Sequence, residues 1–451
     1  MPKFINATRY DLIPTTENTA MKITSEKIFF TPELQREIKA RFEFVDEDCL
    51  GRKRLFFENS GGSLRLKAAI DAKAKYERIP DCPERYHDIS LHLKQVKADG
   101  MRDILEIVFG AAPGKGALVT ELTASQCMFQ IVRTIMQAAG GTNAVVTALE
   151  HPSAYDSVQQ YCQFTGREFR VAAANPETGG IDEDEILRHI DAGTTLLSVM
   201  SASNITGYQF DMESICRKAR AVNPDIFIVS DAVQHAPHGL LEVEKWGLDG
   251  CTFAPYKAFG IRGCGYGYVS DRVAKLYHHK LSAKPEDEWE LGTFPHPNFA
   301  AFSAVVDYVC WIGSHFTDAT DRKALYAEGM RRIHLQEHSL LLHTLNGTDA
   351  VPGLRRIPGV HVHSDGPDDF DRDLISAISI DGIGAEQAVV EYYKRGVTVF
   401  NRSNTSLYSK RIVESIGLTD VLRVSPLHCH DCADIETFLR VTAELARSVN
   451  Q

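Results

Sequence analysis

A chain of 451 residues, 44% of them apolar, exceeds what one ordinary hydrophobic core requires and points to two globular domains. Its formal net charge of −11, without any block of Lys or Arg, argues against nucleic acid or an anionic membrane as partner and leaves small molecules as the expected ligands. The N-terminus has no continuous apolar run behind its basic residue, nothing later approaches a membrane span, and the ten cysteines follow no repeated spacing, so a reducing, cytoplasmic setting is expected.

The first fifty-five residues are polar and weakly patterned and read as an N-terminal extension, 1–55. From about residue 100 to 275, short apolar runs alternate with amphipathic segments, the pattern of an α/β fold with a mainly parallel sheet flanked by helices. Residues 116–120, 143–148, 194–200 and 225–230 are the clearest strands. Between the last two, 210–222 predicts a helix with Met212, Ile215, Cys216, Ala219 and Val222 on one face and Asp211 as its cap. Charge and proline at 283–290 mark a surface loop, after which 299–313 resumes as a helix. A second helical run, 322–345, stops at Asn346-Gly347, where glycine suits a helix end. Strands at 373–380, 396–400 and 421–425 then alternate with helices at 385–395 and 434–445. The expected division is a large domain, 56–320, and a smaller C-terminal α/β domain, 321–451.

Chemistry concentrates in "TFAPYKAFGIRGCGYGYVS", where Lys257 follows a short strand and precedes a glycine-rich turn. Asp231 directly follows the apolar run of 225–230, which places it at the carboxyl end of a strand, where open α/β sheets form their ligand crevices. A carboxylate and an amine delivered into one crevice suit pyridoxal phosphate, which needs a lysine to bind its aldehyde and an acid to keep its ring nitrogen protonated. Opposite charges about 4 Å apart at an effective dielectric near 20 attract by about 4 kcal/mol, enough to hold that proton. Asn204 and Gln234 are placed to bond the phenolic oxygen of such a ring, and His151 offers an aromatic face. Thr123, Ala124 and Ser125 join a strand to a helix, a start whose free amides and hydroxyls suit a phosphate.

The series "TAS", "EHPS", "SNITG", "SDAVQHA", "YKAFGIRG", "ELGTFP" and "LRVS" resembles the class V aminotransferase family, in its cysteine desulfurase-like branch of fold-type I pyridoxal phosphate enzymes. The resemblance runs from about "LFFENSGGS" to near the C-terminus. It implies pyridoxal 5'-phosphate as cofactor, Lys257 as the residue that binds it covalently, Asp231 as partner of the ring nitrogen, and His151 as the stacking residue. Gln234 and Asn204 are implied beside the phenolic oxygen, and Thr123, Ala124, Ser125 and Tyr256 in cofactor binding. Gly292 and Thr293 are implied to reach the phosphate of a partner subunit, hence a homodimer with shared sites. Arg423, with Ser60 and Gly61, is implied to bind an amino acid substrate, its planar fork suiting the α-carboxylate.

Two departures matter. Ala254 and Tyr256 replace the serine and histidine that the family often carries ahead of the lysine, and Arg262 brings an unusual charge, suited either to a surface ion pair or to an acidic group of cofactor or substrate. The stretch 396–417, where cysteine desulfurases carry their persulfide cysteine, contains no cysteine. A lyase acting at Cβ without persulfide transfer is therefore expected, with an aminotransferase, a racemase or epimerase and an inactive interaction protein as alternatives. Cys264 reads as a small buried residue. His428, Cys429, His430 and Cys432 are packed too closely in sequence to wrap one ion unaided, and no metal is expected. A nicotinamide enzyme is disfavoured because no Gly-x-Gly-x-x-Gly turn opens the first strand-helix unit.

Overall fold

The computed structural model describes residues 30–367 and 372–449. A short strand, β1 (Leu55–Phe56), precedes seven strands of one large sheet: β2 (Ala117–Glu121), β3 (Asn143–Thr147), β4 (Glu168–Ala172), β5 (Thr194–Ser198), β6 (Phe227–Asp231), β7 (Gly250–Phe253) and β8 (Gly265–Val269). Their order across the sheet is β2-β8-β7-β6-β5-β3-β4. All pairings among β7, β6, β5, β3 and β4 are parallel, whereas β8 runs antiparallel to both β2 and β7. The sheet is thus mixed, and the one reversed strand leaves the other six pointing the same way. Strands β3, β5, β7 and β8 are buried along their whole length, which is why none of them carries a charged residue on either face.

The helix Met212–Val222 forms as expected, with Asp211 accepting the Ser214 amide at 2.9 Å and Met212, Ile215, Cys216 and Ala219 buried. Val222 departs from that face: at the last turn it is 45% exposed, where the helix leaves the sheet. The charged loop at 283–290 is only partly a surface loop. Trp289 stacks on His278 at 4.1 Å, and Glu290 turns inward to pair with Lys97 at 2.7 Å, so local pairing outweighs the polar composition. Gly347 ends the helix Arg322–Asn346 with φ of 63°, a positive angle that glycine takes without steric cost.

A second sheet, ordered β12-β13-β10-β9, is built from β9 (Val360–His363), β10 (Ser376–Ile380), β12 (Phe400–Ser403) and β13 (Asp420–Val424), while β11 (Val397–Thr398) pairs in parallel with β1. The helices Ala385–Lys394 and Cys432–Val449 cover it, with Tyr392, Phe438 and Leu439 in a core that also takes in Phe57 from the start of the chain. Within the segment read as an extension, the helix Pro32–Ala40 and the residues after it send Phe30, Leu34, Ile38, Phe42 and Val45 into the core of the large sheet. Among the described residues, no helix is long and apolar enough to cross a membrane.

Candidate active site

Because β2 and β7 are both antiparallel to β8, β2 shares the direction of β3, β5, β6 and β7. Thr123 after β2, His151 after β3, Asn204 after β5, Asp231 at the end of β6 and Lys257 after β7 therefore all fall on the carboxyl-terminal edge of one sheet. That edge is where open α/β sheets bind ligands.

Lys257 closes a 3-10 turn, Pro255–Lys257, and its amine donates to the backbone carbonyl of Ser60. Enclosure by protein, aided by the positive charges of Arg402 and Arg262, lowers its pKa to about 8, against the opposing pull of Glu58 and Asp231. The Asp231 carboxylate accepts from the Ser153 hydroxyl at 3.2 Å and the Val233 amide at 3.0 Å. The same serine fixes His151: Nδ1 lies 2.7 Å from Ser153 Oγ and accepts the Ser153 amide at 3.1 Å, while the ring stacks on Tyr408. Burial holds His151 below the usual imidazole range, so its ring stays neutral.

Gln234 donates from Nε2 to Ser60 Oγ at 3.3 Å, and the backbone carbonyl of Asn204 accepts from Arg423 at 2.8 Å. The side-chain oxygens Asn204 Oδ1 and Gln234 Oε1 are buried without a protein partner. Thr123 caps the helix Ala124–Ala138, accepting the Gln126 amide at 3.1 Å. Gly265 of β8 presses against this helix start: a Cβ there would sit 2.1 Å from the Ala124 nitrogen and 2.2 Å from the Thr123 carbonyl carbon. Ser125 is half-buried.

Ser60 and Gly61 form a 3-10 turn with Asn59, and Gly61 lies against Glu58 and Arg423. Arg423, in the middle of the buried β13, is 1% exposed. Its guanidinium donates to Glu58 Oε1 at 2.6 Å, and Arg402 donates to the same oxygen. Tyr256 borders Lys257, and Arg262 forms no ion pair among the described residues; it stacks over the Tyr256 ring at 4.1 Å. Gly292 and Thr293 do not join this group. They lie exposed on a loop walling a separate cavity of about 840 Å³, together with Glu77, Cys82, Glu84 and His296.

Three residues near the site escaped the sequence reading: Glu58, Arg402 and Glu150. The last is wholly buried beside His151, accepts from the Met200 amide at 2.7 Å and the Thr147 hydroxyl at 2.9 Å, and has its carboxyl pushed up to about 8 by burial and by Asp231. Its place inside "LEHPS" was the available signal. Cys264 is buried and its thiol raised to about 11 by that burial. His428 packs on Tyr308 and Glu337, His430 bonds the Leu427 backbone, and Cys429 is buried. Among the described residues, no group of three or more His, Cys, Asp or Glu is arranged to hold a metal ion.

The family model described as "Aminotransferase class-V" matches residues 55–346. The chain belongs to the class-V aminotransferase family. A cysteine desulfurase of Cronobacter sakazakii is 22% identical over 343 residues, covering 71% of this chain and 79% of the relative. A probable cysteine desulfurase of Streptomyces coelicolor is 25% identical over 346 residues, covering 71% and 77%. In fold, the chain is similar to an apo cysteine desulfurase from Thermococcus onnurineus, with TM-score 0.76, 19% identity and 92% and 98% of the two chains covered. A cysteine desulfurase of Escherichia coli gives TM-score 0.74 at 15% identity, with 92% and 98% covered. The fold is that of fold-type I, and this class-V member is a pyridoxal 5'-phosphate-dependent enzyme acting on an amino acid. The residues present fit that cofactor: the orphaned amide oxygens of Asn204 and Gln234, the close approach allowed by Gly265 and the lowered amine of Lys257 each provide for a group that the protein alone does not satisfy.

Proposed function

We propose that this chain is a lyase that eliminates a substituent from Cβ of a small amino acid, without a persulfide-carrying cysteine on the segment 396–417. The observation that carries the reading is the enclosed, readily deprotonated amine of Lys257 at the same strand edge as Asp231 and His151, within a contact network that ends in Arg423. The cysteine desulfurase names of its relatives support Cβ chemistry, and the absence of cysteine from 396–417 argues against sulfur relay on that segment.

In this reading Lys257 would hold pyridoxal 5'-phosphate covalently, with Asp231 for its ring nitrogen, His151 for its ring face, and Asn204 and Gln234 for its phenolic oxygen. Thr123, Ala124 and Ser125 hold the phosphate, with Tyr256 beside them. The cofactor supplies a sink for the electrons released when a bond to Cα breaks. Arg423 anchors the α-carboxylate through its planar fork, with Ser60 and Gly61 bordering the substrate. Lys257 Nζ, released when the substrate's amine takes its place on the cofactor, would take the Cα proton, and the Ser60 carbonyl would orient the freed amine. Asp231, oriented by the Ser153 hydroxyl and the Val233 amide, would stand opposite the ring nitrogen and stabilise its proton. The enzyme works as a cytoplasmic homodimer in which Gly292 and Thr293 reach the partner's phosphate, and its domains divide as 1–55, 56–320 and 321–451.

The family also contains aminotransferases, and one screen separates the two chemistries. Amino acids are incubated with the cofactor-loaded protein, with and without a keto acid, and pyruvate, sulfide and ammonia are measured. Release without the keto acid is the expected result; absolute dependence on it contradicts the lyase.

A further inference from the structure

Three guanidinium groups flank the segment 58–62, and two of them are committed to the protein. Arg423 donates to Glu58 Oε1 at 2.6 Å and to the Asn204 carbonyl at 2.8 Å, while Arg402 donates to the same Glu58 oxygen and to the Asn401 carbonyl at 2.7 Å. Arg262 is different. Among the described residues its guanidinium makes no hydrogen bond and no ion pair; it lies over the Tyr256 ring, 4.1 Å from the ring centre. A guanidinium laid flat on a ring keeps its edges, and the donors on them, free for a planar acid group.

The turn at 60–62 shows where those edges lie. The Ser60 carbonyl accepts from the Lys257 amine, Gly61 lies beside Arg423, and Gly62 lies beside Arg262. A Cβ at 61 would sit 3.4 Å from Arg423 Nη2; one at 62 would sit 3.8 Å from Arg262 Nη2 and 3.5 Å from the Tyr256 ring. Three consecutive residues thus meet three cations. With adjacent Cα atoms about 3.8 Å apart, these nitrogens of Arg423 and Arg262 lie at most about 14 Å from each other. Backbone fixes the arrangement: the Ser63 amide donates to the Tyr256 carbonyl at 3.0 Å, the Phe259 amide to Ser63 Oγ at 2.9 Å and the Leu66 amide to the Phe259 carbonyl at 2.9 Å.

No acid of the described protein pairs with Arg262. Glu58 is shared by Arg402 and Arg423, and Asp231 accepts from Ser153 and Val233. Burial raises the Glu58 carboxyl to about 7, so the acid shared by the two arginines is itself only partly ionised near neutral pH. We propose that Arg262 binds a second acidic group of the substrate: with Arg423 on the α-carboxylate, the chain acts on amino acids whose side chain ends in a carboxylate or a similar oxyacid. A diacid of four or five carbons with a hydrogen bond at each end spans roughly 11–13 Å, inside the limit that the turn sets. The proposal deepens the lyase reading by naming its substrate class, and it rests on Arg423 as the carboxylate anchor. The cofactor's phosphate is the other oxyacid of the site; contact with Gly62, next to the residue that borders Arg423, favours the substrate.

Cofactor-loaded wild type, Arg262→Gln and Arg262→Lys are titrated by calorimetry with two pairs of unreactive ligands, propionate with succinate and butyrate with glutarate. Each diacid is its partner with one terminal carboxylate added. Wild type is expected to bind at least one diacid about tenfold or more tighter than its partner. Arg262→Gln is expected to lose that preference with propionate and butyrate binding unchanged, and Arg262→Lys, which keeps the charge without the planar fork, to retain part of it. Affinity for pyridoxal phosphate, measured by equilibrium dialysis of the cofactor-free proteins, is expected to be the same in all three. A preference absent from wild type, or one that survives in Arg262→Gln, overturns the proposal and leaves standing the lyase reading, which the keto-acid screen tests. A tenfold fall in cofactor affinity in Arg262→Gln also overturns it, by assigning the arginine to the phosphate. Monoacid binding that survives Arg423→Gln undiminished overturns the anchor reading and this inference with it.

Discussion

Lys257 differs from a surface lysine in one measurable way. Its pKa lies at about 8, not 10.5, because enclosure and two nearby arginines disfavour the charged amine more than Glu58 and Asp231 favour it. Since the neutral amine is what attacks an aldehyde, the rate at which the cofactor-free protein takes up pyridoxal phosphate should rise with pH and reach half its maximum near pH 8. A midpoint at the ordinary lysine value would contradict this; stopped-flow absorbance of the lysine-bound form reads it. Lys257 and Asp231 were legible in the sequence because each directly follows an apolar run, and a strand end in an α/β fold is a functional address. Glu58 and Arg402 were not. Glu58 meets Arg423 across 365 positions of chain, and that meeting depends on β13 being pinned to the segment after β1, which no local pattern encodes. For Arg262 the sequence leaves a surface ion pair and an acidic group of cofactor or substrate both open; the structure lays it over the ring of Tyr256, a contact that composition does not reveal.

At the scale of elements, the start of the helix Ala124–Ala138 depends on two small features. Thr123 supplies the cap, and Thr123→Ala should cost about 1 kcal/mol in denaturant unfolding. Gly265 supplies the space, since a Cβ would stand 2.1 Å from the Ala124 nitrogen and backbone cannot yield as a flexible side chain does. Gly265→Ala should therefore weaken pyridoxal phosphate binding while the protein stays folded, with a loss of stability of about 1–3 kcal/mol. Unchanged cofactor affinity in equilibrium dialysis would show that this helix start does not hold the phosphate. Strands such as β3 and β5 were readable because burial on both faces leaves them without a charged residue. The 283–290 segment was harder, because Glu290 spends its charge inward on Lys97 and on the Phe294 amide, and a charge count alone assigns such a residue to the surface.

Across the whole molecule, the helix Arg322–Asn346 carries residues of two cores: Tyr326, Met330 and Ile333 pack with the large sheet, Leu340, Leu341 and Leu345 with the second. Between those groups Glu337 pairs with His238 at 2.7 Å and accepts the His428 amide at 3.0 Å, all deeply buried. Paired with this carboxylate, His238 is raised from 6.5 to about 9 despite its burial, so its contribution to stability is complete below 6.5 and fades as pH rises through 9. Glu337 is lowered from 4.5 to about 2 chiefly by the charge of His238, which outweighs its burial, so its contribution is complete above 4.5 and fades as pH falls through 2. The pair stabilises most between pH 4.5 and 6.5. Glu337→Ala should cost about 3–5 kcal/mol, and the gap in melting temperature between wild type and Glu337→Gln should narrow as pH rises from 6.5 to 9; a constant gap would contradict the pairing. No sequence pattern announced this junction, because each member of it comes from a different, distant element.

The assembly of these scales on one covalent attachment is tested by incubating the protein with pyridoxal phosphate, reducing it with borohydride and mapping the modified peptide by mass spectrometry. The account predicts a single phosphopyridoxyl group on Lys257, lost in Lys257→Ala. A label carried by another lysine, or none at all in a folded protein, would contradict it.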